Sequence, residues 1–274
     1  MSETDFRRAD TALTEAGLAA SRTRAQALIG AGLAYAGGVK IEKSAQKIPA
    51  NAHLEVRGTV CPYVSRGGFK LAKALDSFAA DVHDAVAIDV GASTGGFTDV
   101  LLQNGARLVY AVDVGQSQLD AKLDADPRVV RMDHVNAREL TAAMFPETPR
   151  LAVMDVSFIS ILKILPALRN VLCENRRVIS LVKPQFEAGP RALNRHGVVA
   201  DPAEHVRVLT EIAAHAPLCG WRVRALEISP ITGGDGNIEF LADLVPDDGT
   251  IPLPDPQVLR DLVRRAHAQL REQR

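Results

Sequence analysis

Three carboxylates in this chain each follow an apolar run, at Asp89, Asp113 and Asp133. The first opens Asp89-Val90-Gly91-Ala92-Ser93-Thr94-Gly95-Gly96-Phe97-Thr98, a glycine-rich strand-to-helix turn of the kind that lets backbone approach a ligand closely. It lacks the G-x-G-x-x-G spacing of dinucleotide enzymes and the GK[ST] of a P-loop. An acid before the turn repels a pyrophosphate but can orient a zwitterionic amino-acid group, which favours S-adenosylmethionine over NAD or ATP. Asp113 is placed to accept from both hydroxyls of a ribose. Asp133, in "RVVRMDHVNA", is placed to accept from an adenine amino group. Any one of these acids alone is more often a turn residue or helix cap. Three at successive strand ends point to a bound nucleoside.

Two further strand ends carry opposite charges, Met154-Asp155-Val156-Ser157-Phe158 and Leu181-Val182-Lys183-Pro184-Gln185-Phe186-Glu187. In an open α/β sheet ligands lie beyond the carboxyl ends of the strands, so Asp155 and Lys183 face the cleft of the methyl donor. An unpaired ammonium ending a buried run is costly, so Lys183 needs a partner or a task. The same spacing suits an ion pair that merely closes the sheet, and spacing alone leaves both readings open. Lys70 is another charge at an informative place. It stands on the first turn of a helix expected over about 69–78, opened by the glycines of "SRGGFKL".

These residues need a frame. Apolar runs at 85–92, 107–115, 151–158, 177–186, 222–228 and 238–245 alternate with helical segments, which predicts a mostly parallel sheet covered on both faces. Only "SPITGGDGN" separates the last two runs, so the final strand is expected to pair antiparallel. Residues 7–59 form an earlier unit. It has two short helices, the second capped by Ser21, then a hairpin turning at Gly37-Gly38 and a strand in "HLEVRG". The expected boundaries are a small domain over 1–60, a linker over 61–68 and a large domain over 69–274. A basic terminal helix, with Arg260, Arg264, Arg265, Arg271 and Arg274, is either part of a nucleic-acid footprint or a solvated amphipathic lid.

Composition narrows the class. The 274 residues carry a net charge of -1 and are 47% hydrophobic, which is ordinary globular composition. Cys61, Cys173 and Cys219 show no CxxC pairing, and the seven histidines lack ligand-like spacing, so no metal site is expected. The start MSETDFRRAD is not that of a signal peptide, and 151–172 carries Asp155, Lys163, Pro166 and Arg169, which argues against a membrane span. The chain reads as cytoplasmic.

From Ser65 to about Leu244 the chain resembles FtsJ-like ribose 2′-O-methyltransferases, and most of all the TlyA (hemolysin A) family of ribosomal RNA methyltransferases. The resemblance rests on "VSRGGFKL", "DVGASTGGFTDVLLQNGA", "DPRVV", "NAREL", "DVSFIS", "LVKPQFE" and "GNIEF". It implies a Rossmann-like α/β fold of seven mostly parallel strands, the last antiparallel, preceded by a small α/β S4-type RNA-binding domain. It implies a Lys-Asp-Lys-Glu tetrad at Lys70, Asp155, Lys183 and Glu239. Lys183 would orient and deprotonate a ribose hydroxyl, Lys70 and Asp155 would tune it, and Glu239 would hold a lysine or the ribose. The methyl donor would lie along Asp89, Gly91, Ser93, Thr94, Gly95, Gly96, Phe97, Asp113 and Asp133, and no metal is needed.

The implied substrate is a cytidine 2′-hydroxyl in ribosomal RNA of the large subunit, and in some members also of the small one. The first unit, with eight basic against six acidic residues over 1–60, would contact RNA through Arg7, Arg8, Arg22 and Arg24, and Arg66 would touch the substrate backbone at the joint. Three competing readings are a methyltransferase for another RNA or a small molecule, a non-catalytic RNA-binding assembly factor, and a pore-former.

Overall fold

The computed structural model describes residues 5–58, 61–116 and 118–272, with the backbone alone for 270–272. Arg274, the side chain of Arg271 and the residues 59–60 at the expected domain boundary lie outside that description. Contacts divide the chain into two compact units, Met1–Pro62 and Tyr63–Arg274.

In the first unit, β1 (Phe6–Arg8) leads into α1 (Ala9–Glu15), followed by α2 (Arg22–Gly30), β2 (Ala34–Ala36), β3 (Val39–Lys40), β4 (Lys47–Pro49) and β5 (Leu54–Val56). The Ser21 hydroxyl accepts from Arg24 N at 3.2 Å, the cap expected for α2. β2 pairs with β3 across Gly37-Gly38 and with β5 on its other side, both antiparallel. The β1–β4 ladder was not expected: each strand has only three residues, too few to show a period. Leu13, Leu28, Ile29, Ile41 and Ile48 form this unit's core.

The second unit opens with α3 (Gly67–Ser77), then β6 (Val86–Val90), α4 (Gly96–Gln103), β7 (Leu108–Val112), α5 (Ala121–Asp124) and β8 (Val129–Met132). It continues through β9 (Leu151–Met154), α6 (Leu165–Val171), β10 (Arg177–Val182), α7 (Pro184–Glu187), α8 (Pro202–His215), β11 (Trp221–Ile228), β12 (Phe240–Pro246) and α9 (Pro256–Glu272). The sheet order is β11-β12-β10-β9-β6-β7-β8. β12 is antiparallel to both neighbours, and the other pairs are parallel. The final strand is therefore more than half of a hairpin: it is inserted between β10 and β11. Strands β6 and β9 are buried at every residue, as the continuous apolar runs of a doubly covered sheet require.

One face packs α3 and α4 over Leu71, Ala74, Phe97, Val100 and Leu101. The opposite face packs α6, α8 and α9 over Leu168, Leu209, Trp221 and Val263. The α9 helix thus has an apolar stripe in the core, with Leu259, Leu262, Val263 and Ala266 buried. The chain runs β6-β7-β8 toward one edge and resumes at β9 on the other side of β6. That reversal is the switch point at which such sheets bind ligands.

Candidate active site

At the switch point the loop after β6 meets the strand end of β9. Gly91 adopts φ +79°, and a Cβ there would stand 2.6 Å from the carbonyl oxygen of Asp155. Only glycine allows both the left-handed backbone and that approach. The next contact is equally close. A Cβ on Gly96 would collide with the Ser65 hydroxyl and stand 3.1 Å from Gly68 N, so α4 begins against the turn that opens α3. Val64 N donates to Asp99 of α4 at 2.9 Å, so the stretch before α3, expected to be linker, packs on the large unit.

This packing carries Lys70, on the first turn of α3, into the cleft. Its Nζ donates to Glu239 Oε2 at 2.5 Å and lies 4.0 Å from Asp155 Oδ2. Lys183 Nζ lies 2.6 Å from Asp155 Oδ1 and donates to Ser157 Oγ at 3.0 Å. The four charges form one chain, Glu239–Lys70–Asp155–Lys183, with Asp155 shared between the lysines. Glu239 is 2% exposed, and burial pushes its carboxyl up while the Lys70 ammonium pulls it down. Glu239 precedes β12 rather than lying within it as the run 238–245 suggested. Lys70, Asp155 and Lys183 line a cavity of 290 Å³ with Gly91, Ser93 and Phe97. Four charged groups compensating one another beside a void can hold a polar substrate and move a proton, which an ion pair closing a sheet does not require.

A larger cleft of 520 Å³ shares Gly91, Ser93, Asp155 and Ser157 with that cavity and extends past Asp113, Asn136 and Phe158. Asp113 accepts from Ser93 N at 2.8 Å and from Gly115 N at 2.7 Å, which fixes its carboxylate at the cleft wall. Thr94 and Gly96 line the smaller cavity, and Gly95 caps α4. Two expected contacts are not on either wall. Asp89 is fully buried beneath the loop, where Oδ2 accepts from Thr98 N at 2.9 Å and from the Thr98 hydroxyl at 2.7 Å. Burial lifts its carboxyl to about 7 against those two bonds. Asp89 therefore braces the loop from below. Asp133 lies 3.3 Å from Arg131.

The basic residues also separate. Arg8 and Arg22 both clamp the buried Asp10, at 2.9 and 3.1 Å, with Gln26 completing the shell. The Arg8 guanidinium holds that carboxyl far below the usual range. These two arginines hold the first unit together before they can serve a ligand. Arg7 bonds Glu15 and the Ala50 carbonyl. Arg24 and Arg66 are exposed and, among the described residues, pair with no carboxylate.

Sequence reasoning missed Ser157 and Phe158. Phe158 is 90% exposed at φ +65° and leans on Phe186 with ring centroids 4.9 Å apart. An aromatic residue in "DVSFIS" following a strand end was the available signal. Among the described residues no cluster of three His, Cys, Asp or Glu side chains could hold a metal ion, and no helix is long and apolar enough to cross a membrane.

Fold and site together define an α/β methyltransferase: a seven-stranded sheet with its last strand reversed and a glycine loop at the switch point. Residues 63–244 match the FtsJ-like methyltransferase family. The chain is 46% identical over 271 residues to the Bacillus subtilis protein named "Putative rRNA methyltransferase YqxC", covering 97% of this chain and 96% of the relative. It is 42% identical over 234 residues to the Mycobacterium tuberculosis "16S/23S rRNA (cytidine-2'-O)-methyltransferase TlyA", covering 85% and 87%. The solved structure of a "Putative hemolysin from Streptococcus thermophilus" superposes with a TM-score of 0.77 at 43% identity, over 99% of both chains. The chain belongs to the FtsJ-like methyltransferase family, among relatives named TlyA and hemolysin A.

Proposed function

We propose that this protein transfers the methyl group of S-adenosylmethionine to the ribose 2′-hydroxyl of a cytidine in ribosomal RNA. The observation that carries the reading is the chain Glu239–Lys70–Asp155–Lys183 against a cavity that adjoins a nucleoside-sized cleft. The residues present fit the donor. Gly91 and Gly96 keep side chains out of the loop, and Asp113 offers a fixed carboxylate. Asp113 would hold the ribose hydroxyls, and the loop 91–97 the amino-acid end. When bound, the sulfonium supplies an electrophilic methyl group and a neutral thioether as leaving group.

A ribose hydroxyl is a weak nucleophile, so alignment supplies much of the rate. Lys183 Nζ is the group that orients the hydroxyl; with its own extra proton passed to Asp155, 2.6 Å away, the neutral amine takes the hydroxyl proton as the methyl group transfers. The Lys70–Glu239 pair in turn fixes Asp155 from its other oxygen. The relatives named TlyA act, by their names, on cytidine in 16S/23S or 23S RNA, which supports ribosomal RNA as the substrate here. We take the first unit, residues 1–60, as an S4-type RNA-binding module joined through 61–68 to the catalytic domain 69–274. Arg7 and Arg24 head its phosphate contacts, with Arg8 and Arg22 contributing what Asp10 leaves free, and Arg66 adds a contact from the joint. Such an enzyme works in the cytoplasm.

Mass-spectrometric mapping of ribose methylation in ribosomal RNA, with and without the protein, tests this. A 2′-O-methylcytidine that disappears with the protein is expected. An unchanged map, with methyl transfer to another RNA or to a metabolite, would replace the substrate.

A further inference from the structure

Between α7 and α8 the chain makes an excursion that the site described above does not use. Residues 188–200, AGPRALNRHGVVA, hold two arginines and a histidine and no acid. Leu193 and Val199 form an antiparallel bridge, so the segment is a miniature hairpin. Asn194 closes its tip: its side-chain oxygen accepts from His196 N at 2.8 Å and Val198 N at 3.1 Å, and its backbone N donates to Val198 O at 3.0 Å. Arg195 and His196 project at that tip, both exposed, with Arg195 Nε 2.9 Å from His196 Nε2. Among the described residues no carboxylate pairs with Arg191 or Arg195. A basic tip with no acid of its own fits an anionic partner.

Both ends of this hairpin are anchored beside the catalytic chain. It departs from the turn that carries Lys183, and Arg207 of α8 donates to the Ala188 carbonyl at 2.8 Å. It returns past Asn237, which is 1% exposed. The Asn237 side chain accepts from Val199 N at 3.0 Å and donates to the Gly197 carbonyl at 3.1 Å. Asn237 is two residues from Glu239, whose carbonyl accepts from Ser229 N at 3.0 Å. One buried amide thus ties the tip of a basic hairpin to the segment that holds the Lys70 partner.

We infer that the Leu193–Val199 hairpin is a substrate finger whose Arg195 takes a backbone phosphate of the RNA near the target ribose, with Asn237 as the positioning residue that holds the finger in register with Glu239. The inference rests on the RNA substrate proposed above. Phosphate contacts set register and orientation, and a guanidinium on a short three-residue tip closed by Asn194 is suited to that. Because one side chain bonds both Val199 and Gly197, loss of Asn237 frees the finger without altering any group that touches the reacting atoms.

The test measures binding of purified ribosomal RNA to the full chain across salt concentrations, together with steady-state methylation. Arg195→Ala is expected to raise KM for RNA roughly tenfold with kcat within about twofold, and to lower the salt slope of binding by about one. Asn237→Ala is expected to raise KM to a similar degree, and Arg195→Ala should add little in that background. A purely structural role for Asn237 would lower the melting temperature but leave the two effects additive. Unchanged KM and salt slope in Arg195→Ala would overturn the finger, and additivity would overturn the role of Asn237. Binding needs no turnover, so failure of ribosomal RNA as a methyl acceptor would sink the substrate reading while the salt slope still judges the finger.

Discussion

Lys70 and Glu239, 169 residues apart in the chain, share a 2.5 Å hydrogen bond in a site that leaves Glu239 almost wholly buried. The pair joins the first helix of the catalytic unit to the segment entering its last strand. Breaking it from one side leaves an uncompensated charge, which is costlier than removing both. Lys70→Met is therefore expected to destabilise the protein by about 3 kcal/mol and to abolish most methyl transfer. Adding Glu239→Gln should recover much of the stability and none of the activity. Denaturant unfolding and a radiolabelled methyl-transfer assay on the three variants check this.

Lys183→Ala should lower the saturated rate by about two to four orders of magnitude while donor affinity by calorimetry stays near wild type. Lys183 touches Asp155 and Ser157, not the Asp113 end of the cleft. A variant with full turnover would remove Lys183 from proton transfer.

Gly91→Ala places a methyl group 2.6 Å from the Asp155 carbonyl on a left-handed backbone. The backbone alone costs about 1–2 kcal/mol, and the collision displaces Asp155 besides. Lower stability and weakened donor binding are expected together. A crystal structure of the variant with Asp155 unmoved would contradict the second.

Burial lifts the Asp89 carboxyl to about 7 in the fold, from an ordinary carboxylate value of about 4. A raised carboxyl binds its proton more tightly when folded. Its contribution is complete below about pH 4 and fades as pH rises to about 7. The shift corresponds to about 4 kcal/mol at most. Asp89→Asn should flatten the stability profile in that window while the amide oxygen still accepts from Thr98. Unfolding curves at pH 4.5, 6 and 7.5 would show it, and an unchanged slope would refute it.

His205 moves the other way. Burial between α8 and α9, with its Nδ1 3.0 Å from His267 Nε2, holds its ring down to about 4 from 6.5. The unfolded chain then takes up the proton first, so stability falls as pH drops from about 6.5 toward 4. His205→Phe, which keeps the packing against Phe240, should remove that acid sensitivity. An acid slope that survives the substitution would assign it elsewhere.

The frame was legible because its signals were long. Six apolar runs, their spacing and one short glycine turn were enough for a parallel sheet with a reversed last strand. Lys183 and Asp155 were legible as charges ending such runs. Glu239 was reached only through family resemblance, since "NIEF" shows one acid in an apolar stretch and nothing about Lys70. Asp89 was placed on the cleft wall because a strand buried on both faces has no alternation to tell which side a residue takes. Arg8 and Arg22 were expected at the RNA, because nothing in the sequence shows that Asp10, two residues from one and twelve from the other, is buried and takes both. Spacing along the chain does not show such convergence.

The insertion of β12 between β10 and β11 has a consequence for biosynthesis. A nascent chain emerging from its N-terminus completes the donor loop, both lysines and Asp155 well before residue 239 is made. Until the last strand slides into the gap, Lys70 lacks its partner and β10 and β11 have no common neighbour. The four-charge site is therefore complete only once the strand that follows β11 in the chain has entered the sheet.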